Sequence, residues 1–500
     1  MSPTLRSHLI ALVSGAALSL AFAPFSIWPL AILAPAVLFG LWQDVSPRRA
    51  AALGFLFGCG TFAAGTYWLY VSIHGFGKAP LWLAVGLMAA LVIVMASYCA
   101  LLGYVANRFM PSRGAIRWCV GLPSAWVLLE WVRGWFLSGF GWLSLGYSQT
   151  DTWLAGWAPV GGVYLLSLWL AMMAGALAMW RVEGARSVRR SWLVLVLPWV
   201  AGFLLWRIEW TRESGGPVNV AIVQGAIPQD QKWLANNRDE SLRRYRDLTL
   251  SALGTPLIVW PEAAAPDLAN NLVPYINQLA DEARQRGSSL LLGLIRAEPG
   301  AEGKVDYFNS ILALDDGVAW YDKHHLVPFG EFFPVPETVR RWMRLMNLPY
   351  SDFSRGAAFQ SPLQIAGLSL SASICYEDAY ASSQIASARE STALVNVTND
   401  AWFGRSTARH QHLQISRMRA IESQRFLVRA ANDGISAVIG PRGEFVARAP
   451  DFEAAVLRAT ITPRSGIPPY LRVGNLPFLC LAFAGVFAAL WMSRRAAGRT

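Results

Sequence analysis

The sequence predicts an α-helical transmembrane bundle joined to an extracytoplasmic α/β domain. Three observations carry that prediction. Of 500 residues, 54% are hydrophobic, 23 are Trp and 15% are charged, too apolar a balance for a chain that lies wholly in water. The charge is also unevenly divided. Residues 207–472 hold 28 basic and 28 acidic side chains and the remainder holds 15 and 4, so the whole net charge of +11 belongs to the apolar part. From Val218 onward, short β-type runs alternate with charged helical stretches, the rhythm of a layered α/β or α+β domain.

Eight runs approach the roughly 20 apolar residues that a bilayer requires: 8–25, 28–42, 51–72, 79–107, 116–134, 157–180, 191–206 and 476–493, the second and seventh being short. Ala21-Phe22-Ala23 has the form of a signal-peptidase site, but Pro24 and a second apolar run follow at once, so the first run reads as a retained anchor. If the spans alternate, Arg6, Arg48, Arg49, Arg108, Arg113, Arg117, Arg181, Arg186, Arg189, Arg190, Arg494, Arg495 and Arg499 share one side, while Lys78 and Arg133 are on the other. The positive-inside rule makes the first side, with both termini, cytoplasmic. Domain boundaries follow: a seven-span bundle over 1–206, a domain over 207–472 on the far (periplasmic) face of a bacterial inner membrane, and an eighth span with its tail over 473–500. A pI near 9.7 would suit nucleic acid, but no basic stripe or recognition helix accompanies it, so no nucleic-acid partner is expected. Glu130 and Arg133, at i and i+3 near the outer end of the fifth span, could mark a polar cavity but read rather as a pair snorkelling at the helix end. The Gly- and aromatic-rich loop 135–153 reads as an interfacial or re-entrant segment that helps to seat a lipid.

Strands are expected at 218–227, 256–261, 289–296, 308–314, 368–374, 393–398, 426–430, 436–439 and 455–461, and helices at 241–253, 271–286, 382–390 and 410–423. Three places put an ionisable residue at or just beyond a strand end. Ile258, Val259 and Trp260 lead into Pro261-Glu262, where proline ends the ladder and a carboxylate follows. A buried carboxylate near a thiol takes its proton; an exposed one is an ordinary loop residue. Lys323 follows Tyr321-Asp322, where an ammonium can hold a thiolate and a developing oxyanion. Cys375 ends the apolar run 370–374 and is followed by Tyr376, Glu377 and Asp378. It is either a nucleophile presented at the top of a sheet, from the end of a buried strand, or a buried structural thiol. Cys59, Cys99, Cys119 and Cys480 all lie in apolar runs, so Cys375 has no disulfide partner in the polar domain. His324 and His325 point to opposite faces of a strand, and His410 and His412 lack carboxylates at ligand spacing, so no metal is expected. Nothing singles out one histidine as a base for Cys375, which leaves the Glu–Lys–Cys order as the sharper hypothesis.

Trp260-Pro261-Glu262, Lys323 within the run that ends Leu326-Val327-Pro328-Phe329-Gly330-Glu331, and Cys375-Tyr376-Glu377 resemble the Glu–Lys–Cys motifs of the nitrilase superfamily. With seven spans before this domain and one after it, essentially the whole chain resembles the apolipoprotein N-acyltransferase family, whose pattern Asn399-Asp400-Ala401-Trp402-Phe403-Gly404 also matches. The resemblance implies a nitrilase-like α-β-β-α sandwich. It implies Glu262 as general base, Cys375 as the nucleophile that becomes a thioester, and Lys323, with the Tyr376 backbone N–H, as stabiliser of the tetrahedral intermediate. Glu331 and Glu377 would orient Lys323 or the incoming amine, and Trp233 would lie near substrate. The implied reaction carries an acyl chain from a membrane phospholipid to the N-terminal amine of a diacylglyceryl-cysteine on an apolipoprotein, the last step of lipoprotein maturation. It needs no cofactor, and the protein is expected to act as a monomer.

The arm between Phe329 and Tyr350 interleaves Phe332, Phe333, Trp342, Met343, Leu345 and Met346 with Arg340, Arg341 and Arg344, which suits a headgroup boundary and predicts a mobile gate for lipid. Two rival functions use the same residues differently. A membrane-tethered amidase or nitrilase-type hydrolase has the same triad with water as acceptor, although eight spans exceed what a tether needs. A transporter requires more ionisable residues in its spans than Glu130 and Arg133.

Overall fold

The computed structural model describes residues 2–300, 303–332 and 353–497. The chain forms two compact units, one of Met1–Trp210, Arg405–Glu422 and Pro468–Thr500, the other of Thr211–Gly404 and Ser423–Ile467.

Every predicted span in the first unit holds helix. Among the described residues four helices are long and apolar enough to cross a bilayer, Pro3–Ala21, Leu81–Phe109, Trp153–Glu183 and Leu476–Arg495. Pro47–Gly65 and Trp68–Phe76 make a fifth if their 50° bend is taken within one span, and Leu30–Leu41 and Trp192–Trp206 are shorter apolar helices. Glu130 and Arg133 do not snorkel: they are 5% and 4% exposed. Glu130 Oε1 accepts from Trp126 Nε1 at 2.8 Å and from the Leu145 N–H at 3.0 Å. Arg133 donates to the Phe140 carbonyl at 3.2 Å, to the Trp142 carbonyl and to Ser144 Oγ at 3.0 Å. The pair therefore satisfies loop backbone that lipid cannot solvate. That loop is divided: Trp135, Phe136 and Leu137 are exposed as an interfacial segment would be, whereas 142–150 is buried in the unit.

The second unit is a sandwich of two six-stranded sheets. In chain order the strands of these two sheets are β1 (Val218–Gln224), β2 (Leu257–Val259), β3 (Ser289–Pro299), β4 (Val305–Leu314), β5 (Val318–Asp322), β6 (Leu363–Ile365), β7 (Leu368–Ile374), β8 (Ala393–Thr398), β9 (Leu427–Ala431), β10 (Ala437–Ile439), β11 (Phe445–Arg448) and β12 (Ala455–Ile461), with a further two-residue pair, Arg212–Glu213 on Arg464–Ser465, outside them. The sheets run β12-β1-β2-β3-β4-β5 and β11-β10-β9-β8-β7-β6. Each has a parallel centre, β1-β2-β3 in one and β7-β8-β9 in the other, flanked by antiparallel strands. Strands β5, β6 and β11 add to those expected from the sequence; β6 and β11 are only three and four residues long, and β5 and β11 lie at sheet edges.

Alternation along the strands builds the layers. Val220 and Ile222 of β1 face the inter-sheet core with Leu370, Ala372 and Ile374 of β7 and Val395 and Val397 of β8. Ala221 and Val223 turn outward and pack against Leu242 and Tyr245 of helix Arg238–Ala252, in a layer completed by Ile276 and Leu279 of Val273–Arg284. Helix Ala381–Glu390 packs on β7. This is the nitrilase-like arrangement, and it sends the loops after β2, β5, β7 and β8 toward one site. The proposed gating arm lies almost wholly outside the described residues; of its named members Phe332 alone is within them, beneath the Arg355 guanidinium at 5.1 Å.

Candidate active site

Glu262 is positioned by backbone that leaves no slack. The Trp260 N–H donates to the Leu291 carbonyl and that of Ala264 to the Gly293 carbonyl, both at 2.8 Å, so the turn after β2 is laid along β3. A Cβ on residue 293 would sit 2.1 Å from the Pro261 carbonyl oxygen, which is why glycine stands there. The Glu262 carboxylate, 6% exposed, accepts from Asn309 Nδ2 at 2.7 Å and Lys323 Nζ at 3.2 Å on Oε1, and from the Asn399 N–H at 2.9 Å on Oε2.

Lys323 is anchored at both ends of its peptide, its N–H donating to the Asn309 carbonyl at 2.8 Å and its carbonyl accepting from the Gly356 N–H at 2.9 Å. Its ammonium, 1% exposed, also donates to Glu331 Oε1 at 2.8 Å. Burial opposes the charge, but Glu262 and Glu331 outweigh it and hold the Lys323 pKa well above the usual lysine value. Glu331 further accepts from Asn309 Nδ2 at 2.9 Å and from the Val327 N–H at 2.8 Å, so the loop closes on its own cation.

Cys375 begins the turn after β7 with φ +53°, a left-handed backbone that non-glycine residues seldom adopt and that concentrates at functional sites. Asn396 on β8 holds it there, donating Nδ2 to the Cys375 carbonyl at 3.1 Å. Asn396 in turn accepts from Arg429 Nη1 at 2.6 Å, and Arg429 Nη2 donates to Asp400 Oδ2 at 2.9 Å. Burial, reinforced by the charge of Glu262, pushes the Cys375 thiol well above its ordinary value, while Lys323 pulls the other way. A thiol so placed stays protonated near neutrality, and a carboxylate is at hand to take the proton.

Glu377 works on backbone rather than on Lys323 itself. Its Oε1 accepts from the His324 and His325 N–H groups at 2.8 and 3.0 Å, and its Oε2 from the Ile374 N–H at 2.8 Å and the Tyr321 hydroxyl at 2.9 Å. One carboxylate thereby ties the peptide that carries Lys323 to the strand end that carries Cys375. Burial raises its pKa against those backbone donors. Tyr376 is half-buried with its hydroxyl against that of Tyr380, on whose ring His325 stacks at 4.0 Å. Trp233 stands apart from this bonded cluster, 49% exposed beyond helix Gln229–Lys232.

The sequence reading did not single out Asn309, Asn396 or Arg429. A signal was available: an amide or guanidinium inside a strand-like apolar run, as in Val395-Asn396-Val397 and Val428-Arg429-Ala430, must be buried and bonded.

Residues 14–176 match the apolipoprotein N-acyltransferase N-terminal domain, and residues 219–466 match carbon-nitrogen hydrolase. The chain is 37% identical over 506 residues to a protein of Vibrio parahaemolyticus named apolipoprotein N-acyltransferase, covering 98% of each. It is 39% identical over 492 residues to one of the same name from Methylococcus capsulatus, covering 98% of this chain and 97% of that one. Among solved structures it is similar to a carbon-nitrogen hydrolase from Helicobacter pylori G27, with a TM-score of 0.37 and 16% identity over 52% of this chain and 96% of that chain.

Proposed function

Because the chain belongs to the apolipoprotein N-acyltransferase family, we propose that Glu262, Lys323 and Cys375 carry its acyl transfer from membrane phospholipid to apolipoprotein. In the first half-reaction Glu262 takes the thiol proton as Cys375 Sγ attacks the ester carbonyl. The tetrahedral oxyanion is held by Lys323 and the Tyr376 N–H. Its collapse breaks the ester C–O bond, and protonated Glu262 returns the proton to the leaving lysophospholipid hydroxyl. The α-amine of the diacylglyceryl-cysteine then attacks the thioester, giving its proton to Glu262, and the departing thiolate regains one from the same carboxyl. Glu331 and Glu377 orient Lys323 and its loop, and exposed Trp233 meets the substrate.

The observation that carries this reading is the burial of one ammonium between two carboxylates, Lys323 with Glu262 at 3.2 Å and with Glu331 at 2.8 Å, with Glu262 and Lys323 both acting on Cys375. A thioester that waits for an amine needs shelter from water, and Glu262, Lys323 and Cys375 are 6%, 1% and 9% exposed. For topology we propose a bacterial inner-membrane protein of eight spans, seven over 1–206 and one in 473–500, with both termini cytoplasmic, the 207–472 domain periplasmic, and a monomeric working state.

The test is intact-protein mass spectrometry after incubation with a phospholipid bearing an isotope-labelled acyl chain, with Cys375→Ser as control. A labelled adduct that passes to a diacylated lipopeptide with a free amine is expected. An adduct that decays equally fast without the amine would mean a hydrolase, and no adduct at all would leave the triad as scaffold.

A further inference from the structure

We propose that Lys232 is a positioning residue that keeps Glu262 in its proton-accepting form, as a buried ammonium seated on the Glu262 backbone carbonyl. The inference rests on reading Glu262 as the general base. Lysine is almost never fully buried without a partner, yet Lys232 is 0% exposed. Its Nζ lies 3.5 Å from the Glu262 carbonyl oxygen, long for a hydrogen bond. A fully buried cation on so weak a contact is costly to the fold, which directs attention to what its charge does.

Lys232 ends helix Gln229–Lys232, and that helix is fixed to the same carboxylate from its other end. Gln229 Oε1 accepts from Asn399 Nδ2 at 2.8 Å, and the Asn399 N–H donates to Glu262 Oε2 at 2.9 Å. Glu262 is thus approached by Lys323 and Asn309 on its side chain and by Lys232 on its backbone. Two carboxylates, Glu262 and Glu331, share the single ammonium of Lys323, which leaves one surplus negative charge in a buried place. Glu262 must carry its negative charge to accept the proton of Cys375, and a second cation beside it favours that charged form. Lys232 supplies the missing positive charge.

Burial lowers the Lys232 pKa to about 8, with the charge of Glu262 working in the opposite direction, so the ammonium remains charged at neutral pH. Glu262 is the charge acting on Lys232 among the described residues. Asp230 on the same short helix is exposed, and Lys323, Glu331 and Cys375 face Glu262 from the other strand ends.

The test follows thioester formation by rapid quench, from acidic to alkaline pH, with labelled phosphatidylglycerol vesicles and no amine acceptor, since that headgroup carries no amine to confuse the profile. Lys232→Met is expected to move the acid limb of the rate profile up by about one pH unit, the effect of losing one nearby opposite charge. It should leave the Tm equal or higher, because a buried charge gives way to an apolar chain of similar length. Lys232→Arg should keep the wild-type limb. Lys232→Gln, which retains a donor for the carbonyl without the charge, should shift like Met. An unshifted limb in the Met and Gln variants overturns the inference, as does a lowered Tm with an unshifted limb, the mark of a structural filler. Glu262→Gln separates the two readings: if it still forms the thioester at the wild-type rate, the base assignment fails and this inference with it. If Glu262→Gln is inactive and Lys232→Met is unshifted, this inference alone fails.

Discussion

Asn396 donates its side-chain amide to the carbonyl oxygen of Cys375 at 3.1 Å, across two neighbouring parallel strands, and so pins a residue whose own φ is +53°. The Arg429 guanidinium fixes Asn396 in turn at 2.6 Å. Asn396→Ala is expected to slow thioester formation by roughly tenfold or more and to cost about 1–3 kcal/mol, since it strands a buried carbonyl and part of a buried guanidinium. Rapid quench and thermal unfolding read the two effects; a wild-type rate would mean that the turn holds its shape unaided.

Asn309 bridges the two carboxylates that flank Lys323, at 2.7 Å to Glu262 and 2.9 Å to Glu331. Asn309→Asp replaces a shared donor with a third negative charge in the same buried space. Acyl-enzyme formation, read by rapid quench, should fall at least ~100-fold at neutral pH. A wild-type rate would remove Asn309 from the charge balance.

The thiol sets a direction on pH. The Cys375 pKa lies well above its ordinary 9.0 in the folded chain, chiefly through burial. Its stabilising contribution is therefore fully present below 9.0 and is lost as pH rises from there through the folded value, because the unfolded thiol ionises first. Cys375→Ala should unfold with a flatter dependence on alkaline pH than wild type. Iodoacetamide should label Cys375 slowly at neutral pH, and labelling at the speed of a free thiolate would contradict the assignment.

Trp233 is 49% exposed at the end of helix Gln229–Lys232. Trp233→Ala should alter stability by no more than about 0.5 kcal/mol. Turnover on phospholipid vesicles should drop nonetheless, with the loss in kcat/KM for the lipid donor. Unchanged kinetics would place Trp233 outside the substrate path.

Gly293 has no room for a side chain, with the Pro261 carbonyl oxygen 2.1 Å from where its Cβ would lie. Gly293→Ala must displace the turn that carries Glu262, and a loss of about 2–3 kcal/mol is expected together with slowed acylation. Thermal unfolding of the variant checks the first and rapid quench the second.

Three strands were legible at their ends: 368–374, 393–398 and 455–461 are β7, β8 and β12 to the residue. The short edge strands β5 and β11 were not, because a sheet edge is set by pairing with a neighbouring strand and the partner is not written in the local sequence. Glu130 and Arg133 show the same limit in the bundle. Spacing reveals that two charges are neighbours on a helix, but the Leu145 N–H and the Trp142 and Phe140 carbonyls that draw them inward lie 7 to 15 residues away.

By itself the sequence determined the division into an apolar, basic part and a charge-balanced α/β part, and it marked Glu262, Lys323 and Cys375 as ionisable residues just beyond strand ends. These are local properties, written in composition, period and turn chemistry. Tertiary structure alone decided that Glu377 staples two loops through backbone N–H groups, that Asn309 and Asn396 complete the site, and that Lys232 is buried behind Glu262. The physical reason is that a polar side chain declares its role only by what satisfies it once water is excluded, and those partners come together only when the two sheets close.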